Sequence, residues 1–293
     1  MAPQQLSDDL QKIVEARHHD PFAVLGRHAS GKNTEVRVYV PHALEVTIAE
    51  GGLALTRIEG TDLFFWEGPG DKLPEHYRMT WRDQAHREHI AHDPYTFPPQ
   101  LPDDELVRFG EGQHPRAYRI LGAHPHEANG IAGVLFAVCA PNAERVSVVG
   151  DFNHWDGRAH PMRSRQQGGI WELFIPDLAP GTLYKYEIRN RQSGSLHLKS
   201  DPYGRAFEVR PNTASIVPDI DTYEWHDEHW STFKYCQPLS QTLQLALALG
   251  ALNVHDQELN QKHRQPNDHR QHRGVVDAEQ GRHQVDQPGK GAE

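Results

Sequence analysis

Residues 150–157 read GDFNHWDG, a string whose side chains are suited to recognition chemistry. Gly150, Asp151, Asn153, Asp156 and Gly157 are turn formers, because they supply positive φ or bond their own backbone, and such a turn faces solvent. A large indole at Trp155 then has two readings. It folds back as a lid on a small core, since large apolar groups go inside, or it stands out as a flat platform for a ligand. Carbohydrate suits a platform, because the C–H face of a sugar ring stacks on an indole while its hydroxyls bond polar groups at the rim. Asn153 and Asp151 would supply that rim. Lys185 would join it by pointing outward between Tyr184 and Tyr186. Trp171, inside IWELFIP, alternates with core positions and is read as packing.

Other groups carry less chemistry. HHD at 18–20, HPH at 124–126 and HDEH at 226–229 have spacings that could hold a metal. With 21 His in 293 residues such clusters arise by chance, so they are read as loop histidines and no metal or cofactor is expected. Asp93 and Asp201 both precede Pro-Tyr at equivalent places and are read as turn formers. No catalytic residue is assigned.

The elements that must position these residues are mostly strands. Leu6, Leu10, Ile13 and Val14 recur at helical spacing behind Ser7, Asp8 and Asp9, which predicts a short amphipathic helix ending before Pro21. EVRVYV, LEVTIAE, LFFWEG and YRMTWR, then GVLFAVCA, RVSVVGD, IWELFIP, LYKYEIRN and AFEVR, read as strands of β-sandwiches. The two sets follow one plan: Leu-Gly-x-His, a strand ending in Pro-x-Ala, a Trp-bearing strand, a Tyr-led strand and Asp-Pro-Tyr. That order implies duplication of a sandwich of roughly 100 residues. Pro98, Pro99 and Pro102 are expected to keep the acidic connector out of regular structure. From about Trp230 the sandwich pattern ends: PLSQTLQLALALGALNV reads equally as an amphipathic helix or an alternating strand, and the segment beyond it, rich in Gln, His, Arg, Asp and Gly, lacks apolar surface to offset chain entropy and is expected to be disordered. The fold class is therefore all-β: two tandem immunoglobulin-like β-sandwiches with a short N-terminal helix and a disordered C-terminal tail. The expected boundaries are 1–20 for the helix, 21–97 and 118–218 for the sandwiches, 98–117 for the linker, and 219–293 for a linker remnant and tail.

Composition narrows the function class. A formal charge of −10 argues against a nucleic-acid partner, which needs a basic face. No stretch is long and apolar enough for a membrane span. Cys139 and Cys236 are too few and too far apart for a disulfide framework, which favours a reducing, cytoplasmic location.

GDFNHWDGRAHPMRSRQQGGIWELFIPDLAPGTLYKYEI, followed by LKSDPYGRAFEVRPNTASIV, resembles the family-48 carbohydrate-binding module of bacterial glycogen branching enzymes. The preceding unit, with DPFAVLGRH, resembles the extra N-terminal sandwich of the longer members, and the likeness spans roughly residues 10–230. It implies that Trp155 and Lys185 are surface glucan-binding positions and that the partner is an α-glucan such as glycogen or a maltooligosaccharide. Several related modules carry a further Trp after the YKY strand, where this sequence reads RNRQSGSLHLKSDP. A site with one platform should bind weakly, at about 1–3 kcal/mol by analogy with stacking on nucleobases.

The enzymes it resembles cleave an α-1,4-glucan and transfer the released segment to a 6-hydroxyl, making an α-1,6 branch in glycogen biosynthesis. Their retaining chemistry needs two carboxylates roughly 5–5.5 Å apart on a (β/α)₈ barrel of about 250 residues. Barrel motifs are not legible after Trp230, so the chain is expected to bind glucan without branching it, as a monomer or a poorly soluble piece. The likeness stops near YEWHDEHW, and a shifted reading frame is the expected origin of the tail. The alternative is a purely structural pair of sandwiches that docks a catalytic barrel without touching sugar.

Overall fold

The computed structural model describes residues 6–219. The connector and tail expected beyond residue 219, with Cys236 and the HDEH motif, lie outside the described residues. Helix α1 (Asp8–Val14) starts where Ser7 caps it: the Ser7 hydroxyl accepts from the Leu10 amide at 3.4 Å, and Asp8 and Asp9 occupy the first turn, where a carboxylate meets the positive end of the helix dipole. Ile13 is its buried anchor.

Strands β1 (Gly26–Ser30), β2 (Asn33–Tyr39), β3 (Glu45–Ile48), β4 (Leu53–Ala54), β5 (Thr56–Arg57), β6 (Leu63–Gly68), β7 (Arg78–Arg82) and β8 (Glu88–His92) build the first sandwich. Its sheets run β1-β2-β6-β5 and β4-β3-β7-β8. Helix α2 (Asp103–Gly110) follows, and then β9 (Gly122–Ala128), β10 (Ile131–Cys139), β11 (Ala143–Gly150), β12 (Arg163–Ser164), β13 (Ile170–Pro176), β14 (Leu183–Asn190), β15 (Leu196–Lys199), β16 (Ala206–Phe207) and β17 (Ser215–Ile216). These form sheets β12-β13-β10-β9 and β11-β14-β17-β16, with β15 paired to β14. The fold is all-β, and the order β1-β2-β6-β5 recurs as β9-β10-β13-β12.

The repeated sequence landmarks perform the same physical task in each copy. Gly26 and Gly122 have φ of 88° and 109°, and a Cβ on Gly26 would lie 2.5 Å from the Tyr95 carbonyl oxygen, so only glycine fits. Two residues on, His28 and His124 place Nε2 2.9 and 3.0 Å from the carbonyls of Leu25 and Leu121. Asp93 and Asp201 accept the amides of Tyr95 and Tyr203 at 3.0 and 2.8 Å, as turn formers do. Each also accepts a hydroxyl from the preceding Tyr-led strand: Tyr77 donates to Asp93, and Tyr184 donates to Asp201 at 2.6 Å. Both carboxylates are buried, and burial pushes Asp93 up to about 6 and raises Asp201.

The connector departs from expectation. Residues 103–110 form α2, because Pro102 stands at its N-cap and Asp103, Asp104 and Glu105 fill its first turn; a proline ahead of a helix does not interrupt the hydrogen-bond ladder. Phe97, Leu101 and Leu106 pack on Ile120, Leu135 and Phe174 of the second sandwich. Buried Glu172 accepts the Gln100 and Leu101 amides at 3.2 and 3.1 Å. A single apolar cluster also joins Leu25, Tyr39 and Tyr95 of the first sandwich to Phe136, Trp171 and Tyr184 of the second. Trp171 is 2% exposed and donates its indole N–H to the Ala140 carbonyl at 3.0 Å, as its packing role requires.

Tyr184→Phe should lower stability by about 1–3 kcal/mol, because it leaves the buried Asp201 oxygen without its nearer donor. Tyr186→Phe should cost less, since the Tyr186 hydroxyl lies 3.3 Å from the same oxygen. Urea denaturation of the two variants compares them, and equal midpoints would contradict the ranking.

Candidate functional site

The candidate site is built on β11 and β14. Val146, Val148, Tyr184 and Tyr186 belong to the apolar core, so alternation turns Ser147, Val149, Lys185 and Glu187 to the other, outer face, where Ser147 and Val149 are themselves fully buried. The register sets Lys185 opposite Val149 and Glu187 opposite Ser147. The loop after β11 crosses this outer face and returns along the free edge of β11. There Val148 donates to the His160 carbonyl at 3.1 Å and Met162 to the Val146 carbonyl at 2.8 Å.

Two polar anchors hold the loop. Arg145 is 1% exposed, and its guanidinium donates to the Gly157 carbonyl and to Glu187. Gly157 lies so close that a Cβ there would collide with the Glu187 carboxylate. Asn153 is the second anchor. Its carbonyl oxygen accepts the Gly150 amide at 2.9 Å, and its amide donates to the Val148 carbonyl and to His160 Nδ1, both at 2.9 Å. At 7% exposure, with its polar atoms consumed internally, Asn153 does not form the rim expected of it. It braces the loop from beneath.

Phe152, not Trp155, is the aromatic that packs on the core, so the lid role falls three residues earlier than the indole. Trp155 is half-buried and joins none of the three apolar clusters of the described residues. Its indole N–H donates to Asp151 Oδ1 at 2.8 Å, and its amide donates to the Gly150 carbonyl at 2.9 Å. His154 and Trp155 both lie in the left-handed region, with φ of 56° and 61°. Non-glycine residues enter that region at a cost and cluster at functional sites when they do. Lys185 is half-buried and donates from Nζ to Thr213 Oγ1 at 2.7 Å. Trp155 and Lys185 therefore flank the same end of the sheet, since Gly150, which anchors the Trp155 amide, pairs with Tyr184. Thr213 was not legible as a neighbour, because its approach depends on β17 pairing with β14.

The local charges are paired. Desolvation opposes it, but hydrogen bonds and charge from Arg158 hold the Asp156 carboxyl below the usual range. Desolvation holds His160 down to about 4, which keeps its ring neutral as the acceptor Asn153 needs.

The first sandwich does not repeat this arrangement. Tyr77 and Tyr184 are equivalent through their aspartates, so Arg78 stands where Lys185 does. Arg78 is tied to Glu50 at 2.8 Å, and the β3–β4 connection carries no aromatic. Among the described residues no group of three or more His, Cys, Asp or Glu is arranged to hold a metal, and no helix is long and apolar enough to cross a membrane.

Comparison with known proteins places both sandwiches. Residues 120–204 match carbohydrate-binding module 48 (isoamylase N-terminal domain), and residues 6–95 match the N-terminal domain of the alpha-1,4-glucan branching enzyme GlgB. The first sandwich is thus similar to a branching-enzyme N-terminal domain and the second to a carbohydrate-binding module. The chain is 58% identical over 226 residues to the 1,4-alpha-glucan branching enzyme GlgB of Methylococcus capsulatus, covering 77% of this chain and 30% of that protein. The GlgB of Cellvibrio japonicus is 52% identical over 237 residues, covering 78% and 32%. The chain corresponds to the N-terminal part of bacterial 1,4-alpha-glucan branching enzymes and spans about a third of the length of these relatives.

Gly157→Ala should lower stability by about 1–3 kcal/mol, the usual cost of overpacking, read as a lower denaturation midpoint; an unchanged midpoint would contradict the close approach to Glu187. The depressed His160 makes a second expectation. Between about pH 6.5 and 4 the unfolded chain takes up a proton that folded His160 refuses, so its stability contribution is present above pH 6.5 and lost as pH falls toward 4. His160→Asn should show a smaller drop in melting temperature from pH 7 to pH 4.5 than the unaltered protein. Parallel pH profiles would refute the assignment.

Proposed function

We propose that the second sandwich binds α-1,4-glucan across the outer face of β11 and β14, with the Trp155 indole as the stacking platform and Lys185 bonding sugar hydroxyls at its edge. The observation that carries this reading is the division of labour in the loop. Phe152, itself half-buried, packs against the core, while Trp155 stays outside the apolar clusters on a backbone that only an over-determined loop sustains. The expected second aromatic is absent, and β15 instead exposes Leu196 and Leu198, 53% and 51% accessible. They lie opposite Arg189 and Glu187 and offer a modest apolar extension of the face.

The biological setting we infer is a cytoplasmic 1,4-alpha-glucan branching enzyme of glycogen biosynthesis, a glycosyltransferase. Such an enzyme transfers an α-1,4-glucan segment to a 6-hydroxyl. Within it, the second sandwich holds glycogen or a maltooligosaccharide near the transferring site, raising the effective concentration of chain ends. No catalytic role is assigned to a residue of either sandwich.

Affinity electrophoresis in gels containing glycogen tests the platform. Trp155→Ala should weaken retention by about 5- to 150-fold, corresponding to a stack of about 1–3 kcal/mol, with the thermal transition unmoved. Lys185→Ala should weaken it less. Equal retention of Trp155→Ala and the unaltered chain would remove the glucan assignment.

A further inference from the structure

A cleft of about 450 Å³ lies between the two sandwiches, within the range of roughly 300–1,000 Å³ typical of small-molecule sites. One side is the open edge of the first sandwich. There Trp81 of β7, which also packs on the core of the first sandwich, and His89 of β8 stack with centroids 5.3 Å apart and planes 15° apart, so that one ring backs the other as a one-ring aromatic floor. Asp83 fixes that floor, with His89 Nε2 at 3.1 Å and Arg87 Nε donating at 2.9 Å. These hydrogen bonds hold the Asp83 carboxyl well below the usual carboxylate range. The other side is the loop that carries the proposed platform: Phe152, His154 and Asp156 line the cleft, whereas Trp155 does not.

The cleft is lined by carboxylates and by no Arg or Lys. Behind the lining, Asp83 is paired with Arg87 and Asp156 with Arg158, at 2.9 and 2.7 Å, while His92 Nδ1 lies 2.9 Å from Asp177 and the Tyr77 hydroxyl donates to Asp93. An anionic ligand therefore finds no partner along these walls. A neutral ligand rich in hydroxyls finds carboxylate oxygens, each with lone pairs beyond those already used, above an aromatic floor. Ile90, 57% exposed, adds an apolar rim for the C–H edges of such a ligand.

We propose that this cleft is a second saccharide subsite, taking a neutral α-glucan segment of roughly di- to trisaccharide size on the Trp81–His89 floor. The assignment rests on the reading of the second sandwich as a glucan binder. It adds that the first sandwich contributes to binding at its edge, though not at the position equivalent to Trp155. Because His154 and Asp156 face the cleft while Trp155 between them serves the outer platform, one loop carries a wall of each subsite.

The test uses the full chain labelled with 5-fluorotryptophan and titrated with maltotriose, following each ¹⁹F resonance, with Trp81→Phe and Trp155→Phe assigning the two signals among six tryptophans. The Trp81 signal is expected to move saturably in the unaltered protein and also in Trp155→Ala, which removes any effect relayed from the platform. If the Trp155 signal moves and the Trp81 signal stays fixed, the cleft is not a saccharide site and the platform reading stands. If Trp81 responds only while Trp155 is present, the cleft merely senses the platform and the proposal is overturned. If neither signal moves, both readings fall.

Discussion

The site depends on a buried guanidinium. Arg145 sits at the base of the loop with one terminal nitrogen donating to Glu187 and the other to the Gly157 carbonyl, while its buried Nε has no partner. Removing one partner of a buried ion pair leaves an uncompensated charge and costs about 3–5 kcal/mol, so the loop has little freedom to lift from the sheet. Asn153 adds three hydrogen bonds on the other side of the turn. Between these anchors the chain must reverse in two residues, and the left-handed conformations of His154 and Trp155 follow from that geometry. The indole is thereby placed by its neighbours and not by its own packing.

A second constraint explains why the scaffold recurs while the site does not. In each sandwich a buried aspartate ties the Asp-Pro-Tyr turn to the Tyr-led strand, and in each a glycine admits the turn's backbone beside the first strand. Those contacts fix strand order and leave the outer face free to differ. Lys185 in one copy and Arg78 in the other occupy the same register position. Only the second copy has a long loop after its third strand to bring an aromatic over that face, and in the first copy Glu50 claims the cation.

Much of this was legible in the sequence. The alternating apolar strands, the duplication, an N-terminal helix ending before Pro21, found as Asp8–Val14, and the core position of Trp171 follow from periodicity and burial. Edge strands were not: β1, β8, β9 and β15 read GRHAS, EHIAH, GAHPHEA and LHLK, too polar to signal a strand because one flank and often one face meet solvent. The expected strand AFEVR shortens to Ala206–Phe207. The helix after Pro102 was hidden because proline content suggested irregular chain, whereas proline at a helix entrance is neutral. At the site, the composition of GDFNHWDG announced a turn with an unusual indole. It did not say which aromatic would go inside, because Phe152 and Trp155 are both large and apolar and only the path of the loop separates them. The inward turn of Asn153 was likewise invisible, since a short amide serves a loop equally well from either side.

The most direct test of the account is a crystal structure of this chain grown with maltoheptaose. The account predicts a glucose ring lying flat on the Trp155 indole, with a hydroxyl within hydrogen-bond reach of Lys185. Ordered sugar elsewhere on the molecule, with the Trp155 face bare, would contradict it.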